Sequence, residues 1–239
     1  MDRKFTIVAN WKANKTVAGA QEWIKRLAES GKQIESESMT IEVVVAAPYP
    51  LLNALRSTPD ATLASQDISM FSVGAYTGEV PGELLKDVGV EYCLVGHSER
   101  RKYLGETTEM VGKKVDQAIK NKIIPIICAQ SGEEIPENVR NYSPEQYLIM
   151  YEPFEAISTE GKYHPEDPNK ITETLQDWQK HLPAGVQFLY GGSVNSNNVH
   201  QILATSNQQL VSGFVVGHAS LDPEEFFSII KRCLLTPSL

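Results

Sequence analysis

Short apolar runs alternate along the chain with longer stretches in which apolar residues recur every three or four positions. The short runs are five to seven residues long and read as strands: Phe5–Asn10, Ile41–Ala47, Ala61–Gln66, Tyr92–Gly96, Ile123–Cys128, Tyr147–Tyr151, Val186–Tyr190 and Leu210–Val216. Several are almost continuously apolar, as strands of a parallel sheet covered on its faces should be. The longer stretches predict helices. Val17–Glu29 places Trp23, Ile24 and Leu27 on one side, and Thr107–Lys120 spaces Val111, Val115 and Ile119 four apart. Ile171–Leu182 and Pro223–Leu234 have the same spacing, and Leu51–Ser57, Glu83–Val88 and Asn197–Ala204 read as shorter helices. Thr107-Thr108-Glu109 and Asp222-Pro223-Glu224-Glu225 have the form of N-terminal caps followed by acidic first turns. Ala129–Gln146 breaks the rhythm. It contains Pro136 and Pro144 and leaves room for at most one short helix. Eight strand-helix repeats are the sequence form of a (β/α)8 barrel, although a doubly wound sheet also alternates. No composition shift or long linker divides the chain, so a single domain over residues 1–239 is expected.

Composition narrows the class of protein. Hydrophobic residues make up 41% and charged residues 22% of the 239 residues, which excludes a disordered, collagen-like or coiled-coil chain. The net charge of −8, with no basic stripe, argues against a nucleic-acid partner. No apolar run is long enough to span a bilayer, and Met1-Asp2-Arg3-Lys4 leads straight into a strand-like run. Cys93, Cys128 and Cys233 cannot all pair within the chain, and each lies in an apolar context that suits a buried free thiol. A cytoplasmic protein without membrane attachment is the expectation.

Barrels of this kind carry their chemistry at the C-terminal strand ends. Those ends read Asn10-Trp11-Lys12, Gln66-Asp67, Gly96-His97-Ser98-Glu99-Arg100, Tyr151-Glu152-Pro153, Tyr190-Gly191-Gly192-Ser193-Val194 and Val216-Gly217-His218-Ala219-Ser220. One face thus gathers a Lys, a His, a Glu and two glycine turns: an acid/base group set beside an anion site. Gly191, Gly192 and Gly217 let the backbone approach a ligand, and free N–H groups at a following helix start suit a phosphate. Lys12 adds a full positive charge to a chain whose overall charge repels anions. Singly, each signal has an ordinary reading. A lone Lys is usually a solvated surface charge, a lone His is often structural, and Gly-Gly occurs in many turns. Their joint placement at successive strand ends makes the case. Motifs for nucleotide loops, a nucleophile elbow and metal sites are missing, and no cofactor signature is present.

In their order and content these segments resemble the triosephosphate isomerase family over almost the whole chain. Ala9-Asn10-Trp11-Lys12 resembles its first-strand motif, and Gly96-His97-Ser98-Glu99-Arg100-Arg101 its most specific one. Tyr151-Glu152-Pro153 is similar to its catalytic glutamate segment and Tyr190-Gly191-Gly192-Ser193-Val194 to its phosphate loop. Gly74-Ala75-Tyr76-Thr77-Gly78-Glu79 resembles its dimer loop. The resemblance implies interconversion of dihydroxyacetone phosphate and D-glyceraldehyde 3-phosphate, in glycolysis and gluconeogenesis, without a cofactor. It implies Glu152 as general base, His97 as neutral electrophile and Lys12 as the cation that stabilises an enediolate. Asn10, Ser158, Gly191, Gly192, Ser193, Gly217 and His218 are then expected to bind substrate, with Glu99 in support. A homodimer through Gly74–Glu79 is implied, with a tetramer as the alternative.

The chain also departs from that pattern. In the expected lid, Pro153–His164, Glu155 stands where the family has Trp, and Ser158 and Glu160 stand at glycine positions. After Cys128 the family's Gly-Glu is replaced by Gln130-Ser131, which reads as a change paired with Glu155. His218 replaces a glycine in the last turn. Two other readings compete. An aldolase would need a Schiff-base Lys within a strand, and a metal-dependent epimerase would need clustered ligands. A non-catalytic phosphosugar-binding or scaffold protein draws its support from the altered lid, and intact Lys12, His97 and Glu152 argue against it.

Overall fold

The computed structural model describes residues 4–31, 40–58, 61–156, 165–205 and 210–235. Eight parallel strands close into a barrel in sequence order: β1 (Lys4–Asn10), β2 (Thr40–Ala47), β3 (Thr62–Ser65), β4 (Val90–Val95), β5 (Ile124–Ala129), β6 (Leu148–Tyr151), β7 (Gln187–Tyr190) and β8 (Val211–Val216). β1 closes the ring by pairing with both neighbours, so that Ala9 lies level with Val45 of β2 and Val216 of β8. The closure is tight. A Cβ on Gly213 would sit 1.9 Å from the Thr6 carbonyl oxygen, so a side chain there would force β8 away from β1.

Each strand agrees with its apolar run to within a residue or two. The outer layer holds α1 (Val17–Gly31), α2 (Tyr49–Leu55), α3 (Gly82–Asp87), α4 (Ser98–Leu104), α5 (Thr108–Lys120), α6 (Pro168–His181), α7 (Val199–Thr205) and α8 (Pro223–Leu235). The expected caps form: Thr107 accepts a hydrogen bond from the Met110 N–H and Asp222 from the Glu224 N–H. The hydropathy pattern gives no helix over the seven residues of α4, which follow β4 directly. Between β5 and β6 there is no α-helix at all. Three short 3-10 turns, Gly132–Glu134, Glu137–Asn141 and Pro144–Gln146, cross that flank.

Apolar residues form two separate clusters, because successive strand side chains point to opposite faces. Val8, Val44, Tyr92, Ile126, Met150, Leu189 and Val215 fill the barrel interior. Their immediate neighbours, among them Ala9, Val45, Cys93, Ile127, Tyr151, Tyr190 and Val216, pack against the helices. The same alternation aims the site. Extending the inward rows past the strand ends takes Val8 to Asn10 and Lys12, Met150 to Glu152, Leu189 to Gly191, and Val215 to Gly217. The three cysteines are buried free thiols, as expected. Among the described residues, no helix is long and apolar enough to cross a membrane.

Candidate active site

Asn10, Lys12, His97, Glu152, Gly191, Gly192 and Gly217 meet around one cleft at the C-terminal mouth of the barrel. Lys12 follows β1 with a left-handed backbone, φ 49°, a conformation that L residues adopt at a cost of about 1–3 kcal/mol. Two side chains hold it there. The Lys12 N–H donates to Asn10 Oδ1 at 3.1 Å, and Gln66 Nε2 donates to the Lys12 carbonyl at 2.9 Å. The Lys12 ammonium reaches Glu99 Oε1 at 2.5 Å.

His97 caps the N-terminus of α4. Its Nδ1 accepts the Glu99 backbone N–H at 3.2 Å, so in the neutral ring the proton resides on Nε2. That Nε2 lies 3.2 Å from Glu152 Oε1. Glu152 is only 2% exposed. Its carboxylate accepts the Ser98 hydroxyl at 2.6 Å and the Ser98 N–H at 3.1 Å. Among the described residues no Lys or Arg side chain pairs with it. A buried carboxylate held by hydrogen-bond donors and not by a paired cation can exchange those donors for a substrate.

The opposite wall is backbone. Tyr190 turns its ring back over the next residues, and a Cβ on Gly192 would lie 2.1 Å from the Tyr190 hydroxyl, so only glycine fits. Ser193 donates its hydroxyl to the Ala156 carbonyl at 2.7 Å, tying this turn to the segment after Glu152. In the β8 turn, Gly217 lines the cleft while the His218 side chain is exposed. The cleft is narrow, with about 20 Å³ open to the centre of a water molecule. A larger cavity, about 530 Å³, lies elsewhere, between the β5–β6 turns and Trp178 of α6.

Behind the cleft is a buried charge cluster. Arg100 bonds Asp67 at 2.6 Å and Glu106 at 2.8 Å, and the Lys114 ammonium lies 2.6 Å from Asp67 and 2.9 Å from Glu106. Burial pushes the Asp67 carboxyl above its ordinary range, and Lys114 and Arg100 pull it back down. The cluster fixes the start of α4, and with it His97 and Ser98.

Lys12, His97, Glu152, Asn10, Glu99 and the glycine turns therefore come together as the sequence implied. Ser158 and Glu160 lie outside the described residues, as does residue 164 at the end of the expected lid; at its beginning, Phe154–Ala156 forms a 3-10 turn. Sequence reading assigned no site role to Ser98, which bonds Glu152 across 54 positions, or to Lys114 and Glu106. Nothing local marks such partners. Asp67, at a strand end, was the visible member of the charge cluster. Among the described residues no group of three His, Cys, Asp or Glu is placed to hold a metal ion.

Comparison with known proteins agrees over the same span. A family model described as Triosephosphate isomerase matches residues 5–233. The triosephosphate isomerase of Trichodesmium erythraeum is 35% identical over 246 residues, covering 96% of this chain and 99% of that protein. Those of Dictyoglomus turgidum and Thermus thermophilus are each 33% identical, over 96% of this chain and 99% and 98% of theirs. The crystal structure of the Bartonella henselae enzyme superposes with a TM-score of 0.78 at 24% identity, covering 96% of this chain and 98% of that one, a likeness of fold. The matched span contains every cleft residue described above and all eight strands but for Lys4, and this chain belongs to the triosephosphate isomerase family.

Proposed function

We propose that the chain interconverts dihydroxyacetone phosphate and D-glyceraldehyde 3-phosphate, the glycolytic aldose-ketose isomerisation, with Glu152 as base, His97 as electrophile and Lys12 as the charge that offsets the enediolate. One observation carries this reading: the buried Glu152 carboxylate, held only by neutral donors, faces a histidine that presents an N–H to the same space. Glu152 removes a proton from the carbon beside the carbonyl and returns it to the neighbouring carbon. His97 Nε2–H polarises the carbonyl oxygen and moves a proton between the two oxygens. Lys12 and Asn10 meet the negative charge that develops on those oxygens, which is where preplaced donors gain most. The N–H groups around Gly191, Gly192 and Gly217, with Ser193, take the phosphate.

At rest Glu152 is bonded to Ser98 and Lys12 to Glu99, so substrate binding exchanges these contacts. Glu152 leaves Ser98, and Lys12 turns from Glu99 to the substrate. Segment 153–164 serves as the lid that keeps water from an intermediate prone to lose phosphate, with Ser158 contributing an N–H. His218 contributes its backbone N–H with its side chain outside the cleft. The whole chain acts as one barrel domain in the cytoplasm, without nucleic-acid or membrane partners.

Loop 74–79 is the surface that we infer for self-association. Tyr76 is 46% exposed and stacks on Phe71 at 4.2 Å, and Leu104 is 63% exposed. Apolar groups so exposed suit an interface with a second copy. Tyr76→Asp should give a monomer in light scattering and lower turnover; a fully active monomer would refute the coupling of assembly to the site.

The deciding experiment is turnover of D-glyceraldehyde 3-phosphate by the purified protein and by Glu152→Gln. Removing a general base costs about 10²–10⁴-fold. No turnover by well-folded parent protein would sink the isomerase reading.

A further inference from the structure

We propose that Lys15 is a positioning residue for the anion-binding side of the cleft: its ammonium clamps the loop that carries Lys12 to the turn that carries Gly217. The proposal deepens the phosphate reading of that turn and rests on it. Lys15 lies three residues beyond Lys12 and, like it, has a left-handed backbone, φ 72°. Its Nζ donates to the Leu221 carbonyl at 2.8 Å, across 206 positions of sequence. The same Nζ stands 5.3 Å above the ring of Trp11, the buried residue next to Lys12.

The contacts form a closed circuit. Leu221 follows Ser220, whose N–H and hydroxyl both donate to the Gly217 carbonyl, at 2.9 and 2.7 Å. Gly217 in turn packs on Lys12; a Cβ there would lie 3.6 Å from Lys12 Cε. The Ser220 carbonyl is gripped from the same side by Trp23 Nε1 at 2.9 Å, and Trp23 meets Trp11 edge-on at 5.0 Å. Two consecutive carbonyls of the β8 turn are therefore held by the β1–α1 segment. The ammonium and the backbone turn that share the anion are kept in register by these ties.

Lys15 is partly buried. Burial pulls its pKa below the ordinary lysine range, while the Asp222 carboxylate opposes that shift. The ammonium touches neither the cleft lining nor the reacting groups, so it acts through Lys12 and Gly217. Small misplacements of binding groups carry large costs in rate and affinity.

The test uses Lys15→Met, Lys15→Gly and Lys15→Arg in the full chain. Three quantities are read: kcat and KM for D-glyceraldehyde 3-phosphate, Kd for inorganic phosphate by calorimetry, and Tm. Lys15→Met removes the clamp and keeps a strained backbone. Lys15→Gly removes the clamp and relieves the strain, since glycine accepts positive φ. Both should raise KM and the phosphate Kd by about tenfold, with kcat changed less, and Lys15→Arg should recover most of the affinity. Lys15→Gly also covers the case in which Lys15→Met does not fold. Parental KM and Kd in Lys15→Gly would overturn the proposal, whatever happens to Tm. So would weakening in Lys15→Met alone, because backbone geometry and not the ammonium would then be responsible. If the parent binds phosphate yet turns nothing over, the isomerase reading fails while the phosphate Kd still decides the clamp.

Discussion

Two nearly buried glutamates stand at opposite mouths of this barrel, and they are held in different ways. Glu42, on β2 near the N-terminal mouth, accepts hydrogen bonds from Tyr92 Oη at 2.7 Å and Thr62 Oγ1 at 3.4 Å, and its charge is met by the Lys4 ammonium at 2.8 Å. Glu152, past β6 at the C-terminal mouth, has a hydroxyl, a backbone N–H and an imidazole as its partners. A carboxylate paired with an ammonium is settled, because releasing it leaves an unpaired charge in a poorly solvated place. One held by neutral donors can exchange them for a substrate's proton at little cost. The lesson is that partner charge, more than burial, separates a structural acid from a reactive one.

The comparison can be broken at several points. The largest effect belongs to the histidine facing Glu152. His97→Gln should lower kcat by about 10²–10⁴-fold with little change in melting temperature, as a steady-state assay beside a thermal melt will show. Next comes Glu42→Gln, which removes the charge that meets Lys4 and leaves one acceptor oxygen where the carboxylate has two. It should cost about 1–3 kcal/mol of stability in urea unfolding. Ser98→Ala is smaller. It removes one donor from the resting Glu152 and touches no reacting atom, so kcat should change by no more than about tenfold. A greater loss would mean that Ser98 does more than hold the resting state.

A pH effect concerns groups outside this comparison. Burial pushes the Cys233 thiol up from 9.0 to about 12, and Cys93 and Cys128 are pushed upward for the same reason. These thiols stay neutral in the fold while the unfolded chain ionises them from pH 9 upward. The folded state therefore binds more protons, and stability falls as pH rises between 9 and 12. For Cys233 the slope is on the order of 1 kcal/mol per pH unit. Melts between pH 7 and 11 should show this decline, and Cys233→Ala should make it shallower.

Most of the barrel was legible in the sequence because each strand is a short apolar run bounded by turn residues. The two clusters could not be separated from hydropathy alone, since both faces of Ile124–Ala129 or Val211–Val216 are buried. The seven residues of α4 escaped because the first five are polar and Tyr103 and Leu104 are exposed, with no buried residue among them. The abbreviated fifth connection was visible through Pro136 and Pro144, which deny a helix its N–H donors. At the site, Lys12, His97 and Glu152 were legible from their places at strand ends. The partners that set their states were not. Ser98 reaches Glu152, Gln66 reaches the Lys12 carbonyl, and Lys15 reaches Leu221 only through closure of the barrel. Such contacts leave no local pattern.

The most direct measurement places Glu152→Gln and Glu42→Gln in the same isomerase assay. The account predicts that Glu152→Gln loses at least about a hundredfold in kcat, whereas Glu42→Gln, at a temperature where it remains folded, turns over at the parental rate. Comparable losses in both, or a Glu152→Gln protein with parental turnover, would contradict it.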